Sequence, residues 1–182
     1  LAMISSCAGY SGKRELKLAH SLPVGHPVHQ AMEFMAQRTR ELSDGKLTIK
    51  VYPSGQLGSE QECLELLQIG SLAITKVSAG TMESFIDEYK IFGLPYIFRS
   101  KEHTFQVLDG EIGKELLLLP QDIWIRGLYY YDAGLRSFYT RTKPIQYSRG
   151  YFRLENSSYA KSYSSPPLFR GVSYIVSARK RP

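Results

Sequence analysis

Alternating apolar strands and amphipathic helices predict an α/β fold with a parallel sheet for the body of this 182-residue chain. Three observations point that way. Leu47, Ile49 and Val51 alternate with Thr48, Lys50 and Tyr52, the pattern of a half-buried strand. Val28, Met32, Met35, Thr39 and Leu42 recur at steps of four and three, the spacing of one helix face. Strand, helix, strand, helix, strand then follow one another at lengths that suit right-handed crossovers between parallel strands.

The elements read in order as follows. Residues 16–19 are short and apolar and run into a turn through Pro23, Gly25 and Pro27, which predicts a strand and a loop. The helix over 28–43 keeps Glu33, Gln37, Arg40 and Glu41 on its polar face, and Ser43-Asp44-Gly45 stops it with a glycine free to turn left-handed. A strand is expected over 46–52. Ser59-Glu60-Gln61-Glu62 has capping-box spacing, so a helix opens at 59 and ends at Gly70. Residues 72–77 read as the third strand. Gly93 and Pro95 interrupt the apolar run 92–98, which suits a crossover segment better than a central strand. Helices are expected over 101–108 and 111–118, separated by Asp109-Gly110. Residues 123–131 are too apolar and aromatic for an exposed strand, and 136–140 could add another.

Charge and cysteine content exclude several classes. The net charge of +6 invites a nucleic-acid reading, but residues 147–182 hold seven of the 23 basic groups and one of the 17 acidic ones. The first 146 residues are therefore neutral, and nucleic-acid binding is not expected. Two cysteines, Cys7 and Cys63, make neither a disulfide framework nor a metal site. Cys63 falls on the apolar side of its helix and reads as a core residue. Cys7 ends the run Leu1-Ala2-Met3-Ile4-Ser5-Ser6-Cys7, which looks like the close of a bacterial lipoprotein signal. Lipidation there, or an incidental cysteine in an irregular N-terminus, are both open. No stretch is long and apolar enough to span a bilayer.

Catalytic signatures are absent. Gly80-Thr81-Met82-Glu83-Ser84 is not a nucleophile elbow, because no serine stands between flanking glycines. No glycine-rich phosphate loop follows a strand. His20, His26 and His29 cluster in one Pro/Gly-rich loop; three histidines could hold a metal, but no cysteine or helical histidine pair supports them. The reading is a solvated loop, with no metal and no cofactor.

Several short motifs nevertheless recur in a telling order. They are Leu16-Lys17-Leu18-Ala19-His20-Ser21, Val51-Tyr52-Pro53 leading to Gly55-Gln56-Leu57-Gly58, and Leu66-Leu67-Gln68-Ile69-Gly70. Phe92-Gly93-Leu94-Pro95-Tyr96, Val107-Leu108-Asp109-Gly110 and Gly134-Leu135-Arg136-Ser137-Phe138 complete the set. In this order and spacing the chain resembles the dicarboxylate-binding receptors of TRAP (tripartite ATP-independent periplasmic) transporters. The resemblance implies a periplasmic-binding-protein fold, here its first lobe and the start of the second. It also implies a non-enzymatic periplasmic receptor that captures a small organic acid and delivers it to membrane-embedded TRAP permease subunits.

By the same resemblance, Arg136 matches a ligand-facing arginine. That is sound chemistry, since a guanidinium pairs a carboxylate through two parallel hydrogen bonds. A surface or lobe-packing arginine is the other reading. Glu60, Ser78 and Thr81 match positions where first-lobe residues touch the rest of the ligand, and His20 ends the first strand at the cleft. A secreted α/β enzyme acting on carboxylates would need an acid–base pair or nucleophile that the residues do not supply.

The pattern dissolves after Pro144-Ile145-Gln146. Residues 147–182 contain eight serines and five tyrosines. Family members continue with Thr-Pro-Glu-Asp, two variable residues and Gly-Leu-Lys-Ile-Arg-Val, and a one-base shift of permissible codons over 147–158 restores that run. It puts Ser157 where the family's principal carboxylate-clamping arginine belongs. The organisation expected is therefore a signal remnant and linker over 1–15, a solute-binding lobe over 16–146, and an irregular basic tail over 147–182. A natural disordered tail is the alternative to a frame slip, and a nonfunctional receptor fragment is the alternative to a receptor.

Overall fold

The computed structural model describes residues 13–94, 97–136 and 169–178. Strand β1 (Arg14–Ala19) leads to helix α1 (Pro27–Leu42). Proline suits the first helical position because its missing N–H would lack a partner there. His26 caps the helix, its Nδ1 accepting the Val28 N–H. The helix ends where Asp44 and Gly45 turn to φ 50 and 73. Strand β2 (Leu47–Tyr52) then pairs with the whole of β1 in parallel.

Helix α2 (Glu60–Gln68) starts with the expected capping box: the Ser59 hydroxyl accepts the Glu62 N–H, and the Glu62 carboxylate accepts the Ser59 N–H. Strand β3 (Ile74–Ser78) pairs in parallel with β1, and Ser78 caps the short helix α3 (Ala79–Met82). A 3-10 segment, Asp87–Gly93, leads on to α4 (Lys101–Leu108) and α5 (Glu111–Leu118). A Cβ at Gly113 would fall 1.9 Å from the Leu108 carbonyl oxygen, so only glycine permits this close turn between α4 and α5. A second 3-10 segment, Leu119–Ile123, and left-handed Trp124 feed the long strand β4 (Ile125–Arg136).

The last strand is β5 (Phe169–Ala178), and the sheet order is β2-β1-β3-β5-β4. Strand β5 runs antiparallel between β3 and β4, with Ser78 opposite Ser173 and Ile125 opposite Ala178. Helix α1 covers one face, packing Met32 against Leu18 and Ile74. The other face carries a larger core in which Cys63, Leu64 and Leu67 of α2 meet Val77, Leu108, Ile125, Tyr130 and Val176. Each such fully buried aliphatic side chain contributes about 1.5–3 kcal/mol through the apolar area it removes from water.

Strands β1, β2 and β3 pair in parallel as expected, and the antiparallel β5 makes the sheet as a whole mixed. Two expectations need correction. Residues 169–178, placed by composition within an irregular tail, form β5 and bury Val176. The reason is local: Val172, Ile175 and Val176 are β-branched and suit a strand, and β3 and β4 offer unpaired edges on either side. Helix α1 buries His29, Met32 and Ala36, and leaves Leu42 exposed to solvent. The remaining expectations for the tail, over 147–168 and 179–182, and those for 1–12 including Cys7, lie outside the described residues. So does 137–140, where a further strand was expected.

Candidate functional site

The carboxyl ends of parallel strands in an open α/β sheet form the crevice where such folds bind ligands. Here His20 follows β1, Ser78 ends β3, and Glu60 is the first residue of α2. Glu60 organises the cluster. Its Oε2 accepts the Ser78 N–H, the Ser78 hydroxyl and the Thr81 hydroxyl, each at 2.8 Å. Its Oε1 accepts from Lys76 Nζ at 2.8 Å. Ser78 Oγ and Thr81 Oγ1 are 2.9 Å apart. Burial would raise the Glu60 carboxyl, but the Lys76 ammonium, then the Ser78 amide and hydroxyl, outweigh it and hold the group below the usual carboxylate range.

Beside this lies a histidine pair. The Leu22 N–H donates to His20 Nδ1 at 3.2 Å, which puts the proton of a neutral ring on Nε2. That Nε2 stands 3.0 Å from His29 Nδ1 and donates to it. His29 Nε2 then faces Glu33 Oε1 at 3.8 Å. Burial first, then His29, Lys76 and His26, holds His20 below the ordinary histidine value. The expected solvated loop is thus wrong for two of its three histidines, since His20 and His29 are buried in this pair. Among the described residues, no group of three or more His, Cys, Asp or Glu is placed to hold a metal.

The arrangement is a hydrogen-bonded cluster at the strand ends. A model of the bacterial extracellular solute-binding proteins, family 7, matches residues 18–148. The chain belongs to that family.

Its relatives agree. The protein YiiZ of Salmonella typhimurium is 37% identical over 148 residues, which are 80% of this chain and 45% of that protein. A TRAP periplasmic solute-binding protein of Bradyrhizobium, solved with galacturonate, is 38% identical at a TM-score of 0.68 and matches 73% of this chain and 44% of its own. One from Sulfurospirillum deleyianum, solved with succinate, is 34% identical at 0.66, covering 72% and 42%. The chain spans less than half the length of these relatives.

Of the residues expected to form the site, His20, Glu60, Ser78 and Thr81 gather at one end of the sheet. Arg136 is the last residue of β4, opposite Phe169 of β5; its side chain, like Cys7 and Ser157, lies outside what is described. Cys63 is a core residue, as expected. Sequence reasoning missed Lys76 and His29. The signal for Lys76 was present: a lone charge in the apolar run Leu72-Ala73-Ile74-Thr75-Lys76-Val77. A groove of about 710 Å³ between α1 and β2, lined in part by Gln30, Phe34 and Arg40, shares only His29 with this cluster.

Proposed function

We propose that this chain supplies the first-lobe wall of a receptor that captures a small organic acid outside the inner membrane and hands it to a TRAP permease. The observation behind this reading is that four residues matched by family resemblance converge at the strand ends around Glu60. The ligand complexes of relatives more than 30% identical support the ligand class. Arg136 is assigned the carboxylate of the ligand, and Glu60 the positioning of Ser78, Thr81 and Lys76. No covalent step is needed, so the protein is read as a receptor and not an enzyme. Cys7 remains the candidate for a lipid anchor at the membrane surface, supported by the sequence before it.

Affinity should be modest, because Ser157 stands where the family's clamp arginine is aligned by the one-base shift. The test is calorimetric titration with small organic acids at millimolar concentration. Saturable heat that Arg136→Ala abolishes supports the reading. Identical heats from the chain and from buffer overturn it.

A further inference from the structure

We propose that Lys76 is a specificity-determining residue of this cleft, selecting a hydroxyl-bearing monocarboxylic acid of the uronic or aldonic class over an unsubstituted dicarboxylic acid. The inference rests on the receptor reading above and refines its ligand class.

Lys76 sits in a buried strand with its side chain 7% exposed. An ammonium has three protons to donate, and among the described residues only Glu60 Oε1 takes one. Burying a cation with donors unspent is costly unless another acceptor arrives. The path of the side chain says where that acceptor would stand. Val77 packs into the core beneath α2, whereas Ile74 packs on the opposite face beneath α1. Strand alternation therefore puts Lys76 on the α1 face. Its Nζ nevertheless reaches Glu60 at the start of α2. The side chain must cross over the carboxyl end of the sheet, where the crevice opens, and it lies close enough to His20 to depress that group.

The chemistry offered there is specific. With Glu60 ionised, the hydroxyl protons of Ser78 and Thr81 are drawn inward to its Oε2. Ser78 Oγ already accepts the Thr81 N–H, so the lone pairs left for a ligand donor are chiefly those of Thr81 Oγ1. The remaining protons of Lys76 are left for a ligand acceptor. The Lys76–Glu60 pair has no net charge. A hydroxyl group both accepts and donates, so it can answer the Lys76 ammonium and the Thr81 oxygen together. A carboxylate only accepts; it would leave the Thr81 oxygen unanswered and meet the Glu60 charge nearby. The acid group of the ligand belongs elsewhere, toward Arg136, and the end facing this wall should carry hydroxyls.

The experiment is calorimetry of the full chain with D-galacturonate, D-gluconate, succinate and glutarate, repeated on the double variant Lys76→Met/Glu60→Gln. Removing both charges together avoids stranding one of them and keeps the fold. The expected result is that both sugar acids bind at least tenfold tighter than both dicarboxylates, a ratio equivalent to about one hydrogen bond to a charged group. In the double variant that ratio should collapse toward one. Succinate or glutarate binding as tightly as the sugar acids would overturn the proposal and leave the receptor reading intact. A preference for sugar acids that survives in the double variant overturns the role of Lys76. Absence of binding by all four acids overturns the receptor reading, and this proposal with it.

Discussion

Nε2 of His20, at the end of β1, stands 3.0 Å from Nδ1 of His29 on α1, and the backbone N–H of Leu22 holds the far side of the His20 ring at 3.2 Å. Every nitrogen of His20 thus has a partner only while the ring is neutral. A proton added at Nδ1 would point at the Leu22 N–H.

The stability of the chain should therefore fall on mild acidification. His20 is depressed in the folded state, chiefly by burial, while in the unfolded chain it titrates near an ordinary value of about 6.5. The unfolded state binds the proton more readily, so stability is intact above about pH 6.5 and is lost as the pH drops below it. Thermal unfolding between about pH 7.5 and about pH 5 should show a steeper loss for the native chain than for His20→Gln. Equal slopes would contradict the neutral-pair account.

The Glu60–Lys76 pair makes a sharper energetic prediction. Removing one partner of a buried ion pair strands the other charge, so Lys76→Met should cost about 3–5 kcal/mol of stability in denaturant titration. Lys76→Met/Glu60→Gln should cost clearly less than the single change. If the double variant is no better than the single, Lys76 is not the group that makes the buried Glu60 charge tolerable.

At the start of α2 the capping box should contribute modestly. Ser59→Ala removes the acceptor for the Glu62 N–H and should cost about 1 kcal/mol. Because Glu60 begins that helix, the same variant should also loosen the cleft wall, visible as faster amide exchange at Ser78.

Val176 tests whether β5 belongs to the fold. It is 1% exposed within the core beneath α2. Val176→Asp would bury an unpaired charge and should abolish cooperative unfolding or lower stability by several kcal/mol. A variant with unchanged stability would return residues 169–178 to the irregular tail that composition suggested.

How much of this was legible depended on how local the governing interactions are. The helices over α1, α2, α4 and α5 and the strands β1 to β3 follow from periodicity and caps within a few residues, and the structure places them within one or two residues of expectation. Strand β5 was hidden because its slot is fixed by β3 and β4, far away in sequence, while the serine-rich, basic tail around it suggested disorder. The histidines misled for a related reason. A Pro/Gly-rich loop reads as solvated, yet Pro27 starts a helix that carries His29 back against His20. In the candidate site, Glu60, Ser78 and Thr81 were named by resemblance alone. Their mutual bonding through one carboxylate oxygen, and the part of Lys76, arise only when α2 and β3 are folded together.

The central claim is that the strand-end cluster around Glu60 faces the ligand. The most direct test is an amide-resolved NMR titration of the chain with D-galacturonate at millimolar concentration. Saturable shifts should centre on His20, Glu60, Lys76, Ser78 and Thr81, leaving Gln30, Phe34 and Arg40 in the α1–β2 groove unmoved. Shifts confined to that groove, or none at the strand ends, would contradict the account.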